Sequence, residues 1–232
     1  MTNTGSPQEG QRDRPPTAKP SRYRSPLRQA QATATRATVL EAASELFRRD
    51  GFPRTTMAAI AETSAVSVET VYAQGSKAEI LLACVERALT GDDEPGALLQ
   101  RPAFVEALAQ TDQVEVVKAY VRALTEVSDR ASALIVAFED AAAADAATAL
   151  LWRQAEQQRR ADVQRLVEAV AALGPLRPGL DVVSATDGLW VGLTPRYAHQ
   201  LASLGWSLER RSAWTARSVL ALLLSTAPRS TT

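Results

Sequence analysis

From Ala34 onward, apolar residues recur along the chain every three or four positions. Val39, Leu40, Ala43, Leu46 and Phe47 make the first such stripe, and Arg48-Arg49-Asp50-Gly51 follows with basic residues and a glycine, the pattern of a helix and its C-terminal stop. Thr55-Thr56 opens a short second segment with Met57, Ile60 and Ala61 as its apolar face, ending near Ser64. Ser67 then caps a third, carrying Val68, Val71 and Tyr72. After Gly75-Ser76 an amphipathic helix is expected over residues 77–89, with Ile80, Leu81, Cys84, Val85 and Ala88 on one face.

The glycine, prolines and acids of residues 91–102 interrupt the pattern. From Asp112 to Leu173 the chain reads as almost continuous helix, divided into three by breaks near Ser128-Asp129 and Ala144-Asp145. The Gly174-Pro175-Leu176-Arg177-Pro178-Gly179 stretch is a firm break. Further helices are expected at about residues 181–193, 195–204 and 207–224. No strand-like alternation and no internal repeat competes, so the expected class is all-α.

Charge changes this picture at one end only. The 232 residues are 46% hydrophobic, enough for a buried core, and carry 26 basic and 26 acidic side chains. A body that binds nucleic acid over its whole surface is thereby excluded. Within residues 1–30, however, Arg12, Arg14, Lys19, Arg22, Arg24 and Arg28 outnumber Glu9 and Asp13 by four, leaving minus four for the rest. Pro7, Pro15, Pro16, Pro20 and Pro26 block helix there, so residues 1–28 are expected to be a disordered basic arm. It reads either as a solubilising extension or as a minor-groove contact.

One cysteine, Cys84, excludes an internal disulfide. One histidine, His199, leaves a His/Cys metal cage without ligands. The start of the chain lacks a signal-like apolar core, and no apolar run approaches the roughly 20 residues of a membrane span, so a cytoplasmic protein is expected. No cofactor, metal or catalytic residue is assigned: there is no His–carboxylate pairing and no glycine-rich phosphate loop.

The segment from Thr56 to Lys77, TMAAIAETSAVSVETVYAQGSK, has the form of a helix-turn-helix. A small residue at its turn lets two short helices pack steeply, and Ile60, Val66 and Val71 fix them to the first helix. The second short helix is then free to enter a major groove. Over roughly residues 34–89 the sequence resembles the DNA-binding domain of the TetR family of repressors. In that family a threonine-capped helix with Ile-Ala is followed by Ala-Gly-Val-Ser, a Leu/Val-Tyr pair and Ser/Asn-Lys. The resemblance implies that Thr56 and Lys77 bind phosphates and that Ser67 caps the recognition helix. Tyr72 would pack on the DNA backbone while donating its hydroxyl. Val68, Glu69, Thr70 and Ala73 would face the bases, and Gln74 is carried over with them. Ala65 departs from the family's usual glycine. The stretch from Tyr72 to Lys77 is one residue short and lacks the usual phenylalanine, so the link into the fourth helix must differ.

The resulting layout is a 1–28 arm, a 29–76 three-helix helix-turn-helix DNA-binding domain, a 77–226 helical ligand-binding and dimerisation domain, and a 227–232 tail. Its implied partners are double-stranded operator DNA, a second copy of the chain and a small-molecule effector, with no membrane. Tyr120, Phe138, Glu139, Trp152 and Trp190 are the candidate pocket residues, weighed against plain core. Trp190, Leu193, Trp206, Trp214 and Leu222 are the candidate dimer surface. Two rival readings are an all-helical enzyme or carrier with an incidental N-terminal motif, and a DNA-binding activator or architectural protein without a ligand.

Overall fold

A computed structural model describes residues 1–2, 26–91 and 97–224. Most of the basic arm and the C-terminal tail lie outside these residues. Those described form helices α1 (Pro26–Arg54), α2 (Met57–Thr63), α3 (Val68–Tyr72), α4 (Lys77–Thr90), α5 (Pro102–Leu108), α6 (Gln113–Ala144), α7 (Ala146–Leu173), α8 (Val182–Gly192), α9 (Pro195–Ser203) and α10 (Leu208–Leu223). A 3-10 turn, Leu98–Gln100, precedes α5. Among the described residues there is no strand, and no helix is long and apolar enough to cross a membrane.

The N-terminal helix starts at Pro26, eight residues before the expected onset, so the last three residues assigned to the arm are helical. A proline in a helix's first turn gives up an N–H that would have no partner there. The regular helix ends at Gly51, whose φ of 73° is open to glycine at little cost, and residues 52–54 continue as a kinked turn.

In the body, the expected break at Asp145 is present. Its carboxylate accepts from the Thr148 N–H (2.7 Å) and hydroxyl (2.6 Å), capping α7 directly after α6. The expected break at Ser128-Asp129 is absent, and two long helices replace three. Asp129 is the ion-pair partner of Arg211 on α10, so a polar pair that reads as a stop is a tertiary contact in mid-helix. Helix α5 is an addition to the elements the sequence pattern predicts. Pro102 starts it, and its Phe104 and Ala107 are buried, with the Phe104 ring edge-to-face against Tyr120 at 5.2 Å.

Two apolar cores result. The first joins Val39, Phe47, Ile60, Val71, Ile80, Leu81 and Cys84 to Leu134 and Phe138 of α6. The second joins Phe104, Val117 and Tyr120 to Val167, Leu189, Val219 and Leu223. Helix α4, assigned from sequence to the body, shares its core with α1–α3, and α6 runs through both.

Candidate functional site: a nucleic-acid interface and a cavity

The helix-turn-helix is assembled by local caps. The Thr56 hydroxyl accepts from the Ala59 N–H at 3.1 Å and starts α2. The Ser64 hydroxyl donates to the Ile60 oxygen at 2.6 Å and is buried. The turn then passes through Ala65 at φ 54°, the left-handed conformation for which glycine is the ordinary residue. The Ser67 hydroxyl accepts from the Thr70 N–H at 3.2 Å and lies 3.1 Å from the Thr70 hydroxyl. Those caps leave α3 anchored by fully buried Val71 alone, with Val68, Glu69, Tyr72 and Ala73 turned outward. Tyr72 is 62% exposed, an unusual state for a tyrosine that no partner covers. The Glu69 carboxyl is held below its ordinary proton affinity, first by its own main-chain N–H and then by the Ser67 hydroxyl, and so stays ionised.

The shortened link is closed by Gly75 and Glu79. Gly75 takes φ 129°, and a Cβ there would stand 3.0 Å from the Glu79 carboxylate. That carboxylate accepts from the Ser76 N–H at 2.7 Å, while the Ser76 hydroxyl accepts from the Glu79 N–H at 3.3 Å, a capping box that starts α4. Gln74 donates to the Thr70 oxygen at 3.3 Å and receives Arg36 at 3.4 Å, so it braces α3 against α1. Lys77 is also turned inward. Its ammonium donates to the oxygens of Phe52 (2.9 Å) and Thr55 (3.0 Å), with partial burial lowering its proton affinity.

A family model for the bacterial regulatory proteins of the TetR family matches residues 39–84, the segment just described from mid-α1 to mid-α4. Residues 39–84 therefore carry a DNA-binding domain of the TetR family. That segment is the DNA-binding part of a bacterial transcriptional regulator. Solved structures share the fold over nearly the whole length. SmeT, the repressor of the multidrug efflux pump SmeDEF in Stenotrophomonas maltophilia, is 21% identical with a TM-score of 0.61, over 84% of this chain and 93% of that one. The ketosteroid transcriptional regulator KstR2 of Mycobacterium tuberculosis is 18% identical, with a TM-score of 0.58 over 82% and 95%. The regulator PfmR from Thermus thermophilus is 18% identical, with a TM-score of 0.60 over 82% and 96%. No curated protein is a significant match.

The helical body of the chain holds a cavity of about 780 Å³, walled by α1, α4, α6, α7, α8, α9 and α10. Of the five candidate pocket residues, Tyr120, Phe138 and Trp152 line it, with Phe138 and Trp152 edge-to-face at 5.6 Å. Glu139 and Trp190 do not. Glu139 is half-exposed and accepts from Arg196 at 3.0 Å, beside Asp140 at 2.6 Å. These two acids of α6 face α9. Trp190 stands behind the wall, its indole N–H donating to Glu156 at 3.1 Å. Sequence reasoning misses Glu156, Asp162 and Arg211, three of the charged groups of the wall, because they read as ordinary solvated positions on α7 and α10.

Arg159 grips Glu156 through two bonds of 2.8 Å. Asp162 accepts from Gln158 at 2.9 Å, and burial raises its proton affinity. Burial also pushes the Tyr120 phenol up, with the Asp162 charge adding to the effect. The lone cysteine lies in the first core. The Cys84 thiol, 1% exposed, donates to the Leu40 oxygen at 3.4 Å and is pushed up to about 11 by burial.

Proposed function

We propose that this regulator is a repressor that leaves its operator when a small molecule enters the cavity. Two copies would set their α3 helices into successive major grooves of a two-fold site, roughly 34–36 Å apart. Val68, Glu69, Thr70 and Ala73 would meet base edges, with the ionised Glu69 suited to accept from a cytosine amino group. Tyr72, Thr56 and the Ser67 cap would address the backbone. Lys77, with two of its three N–H groups committed inside the protein, would offer at most one to a phosphate. The protein would work in the cytoplasm, by binding and not by catalysis.

The observation that carries this reading is that Leu82, Val85 and Leu89 of α4 stand in the cavity wall. This helix follows the recognition helix directly and shares its core, so a molecule seated against it bears on the spacing of the two α3 helices. A ligand shifts that equilibrium only by its differential affinity for the two spacings. SmeT, whose fold this chain shares, has been solved in complex with triclosan, which supports the same use of the body here. The test is fluorescence anisotropy of a labelled operator fragment titrated with protein, then with candidate effectors. Release by a compound that leaves the Leu89→Trp variant bound supports the reading, whereas equal release of both proteins contradicts it.

A further inference from the structure

The side chain of Arg211 on α10 is 7% exposed, and a buried guanidinium is costly unless its N–H groups find acceptors. Two of its three nitrogens do. Nε donates to the Trp206 oxygen at 3.2 Å, and Nη2 to the Asp129 carboxylate. Nη1 is buried and has no acceptor among the described residues. Arg211 stands in the wall of the cavity, a space open to an incoming group.

We propose that the cavity takes a mainly apolar molecule bearing one anionic oxygen group, and that Arg211 Nη1 is the donor that receives it. This rests on the cavity being the effector site. Asp129, itself half-exposed, meets Arg211 on one edge only and leaves the guanidinium short of a second acceptor. Of the other acids of the wall, Glu86 is exposed, Glu156 is held by Arg159 and by the Trp190 indole, and Asp162 accepts from Gln158. A carboxylate bound to a guanidinium makes a charge-assisted hydrogen bond about twice as strong as a neutral one. The apolar body is accommodated by the aromatic and aliphatic wall, where Tyr120, Phe138, Trp152 and Leu124 present flat and branched surfaces.

Calorimetric titration of the full chain with three probes sharing one bicyclic body tests this: 1-naphthylacetate, 2-(1-naphthyl)ethanol and 2-(1-naphthyl)ethylamine. The acid is expected to bind about ten-fold tighter than the alcohol, with the amine weakest. Arg211→Met should remove the acid's advantage and leave the alcohol's affinity unchanged. Leu124→Trp, which fills the cavity, should weaken all three. Equal binding of acid and alcohol by the wild type, or an advantage that survives Arg211→Met, overturns the ligand class while leaving the cavity reading standing. Binding of all three that Leu124→Trp leaves intact, or of none, overturns both. If Arg211→Met loses its helical circular dichroism, the wild-type ranking of the probes decides alone.

Discussion

The Lys77 ammonium lies 4.1 Å from the centre of the Phe52 ring and donates to the Phe52 main-chain oxygen at 2.9 Å. With its second bond, to the Thr55 oxygen at 3.0 Å, it ties the start of α4 to the end of α1 behind the helix-turn-helix. A cation on carbonyls at a helix C-terminus is favourable for the helix dipole as well as for hydrogen bonding. Lys77→Met is therefore expected to cost about 1–3 kcal/mol of stability. Thermal unfolding checks this. A Tm equal to wild type, with DNA binding alone reduced, would return Lys77 to a purely DNA-facing role.

Ala65 holds its positive φ at the cost of steric strain. Ala65→Gly should relieve it and stabilise the protein by about 1 kcal/mol, less the entropy of the more flexible unfolded chain. Denaturant titration should show a raised midpoint with an unchanged slope, and operator affinity should not move.

The helix-turn-helix is legible in the sequence because its determinants are local. Thr56, Ser67 and Ser76 each cap a helix three residues ahead of the N–H they satisfy, so spacing alone reveals them. Lys77 reads from sequence as turned toward DNA because its acceptors lie 22 and 25 residues earlier, in carbonyls that no residue pattern marks. The cavity is half legible. Tyr120, Phe138 and Trp152 are large apolar residues on interior helix faces, but Asp162 and Arg211 reach the wall only through the packing of α7 and α10. Pro102 reads as an interruption although it is the first residue of a helix, because a proline marks a helix start and a helix stop alike.

Helix α8 exposes Val183 (62%) and Val191 (66%), eight residues apart and so on one side of it, while α10 exposes Trp214. The two helices touch where Gly188 leaves room for Leu222. We assign this surface to the two-fold contact of a homodimer. Trp206, set edge-to-face on Trp214 at 5.7 Å with Arg210 over its ring at 3.9 Å, supports it from behind. Val191→Arg should convert the dimer to a monomer in sedimentation velocity at micromolar concentration, with helical content retained. An unchanged sedimentation coefficient would place the interface elsewhere.

Cys84 should be inert. Its thiol, pushed up to about 11, stays protonated at pH 8 and is buried, so labelling by a thiol reagent should follow global unfolding and not a native-state rate. The folded-state value lies above the ordinary value of 9.0, so the folded chain keeps the proton longer. The stability this gives is complete below about pH 9 and is lost as pH rises through about 11. Cys84→Ala should flatten that alkaline decline.

Recognition through α3 is most directly tested by footprinting the protein on DNA upstream of its own gene, wild type beside Tyr72→Ala. With Tyr72 exposed and outside the core, the substitution leaves the fold intact and should weaken operator binding by about 1–3 kcal/mol. The wild type should protect two half-sites of a pseudo-palindrome centred about one helical turn, or a multiple of it, apart. Absence of protection, or a Tyr72→Ala footprint at the wild-type concentration, would contradict the assignment of α3 as the recognition helix.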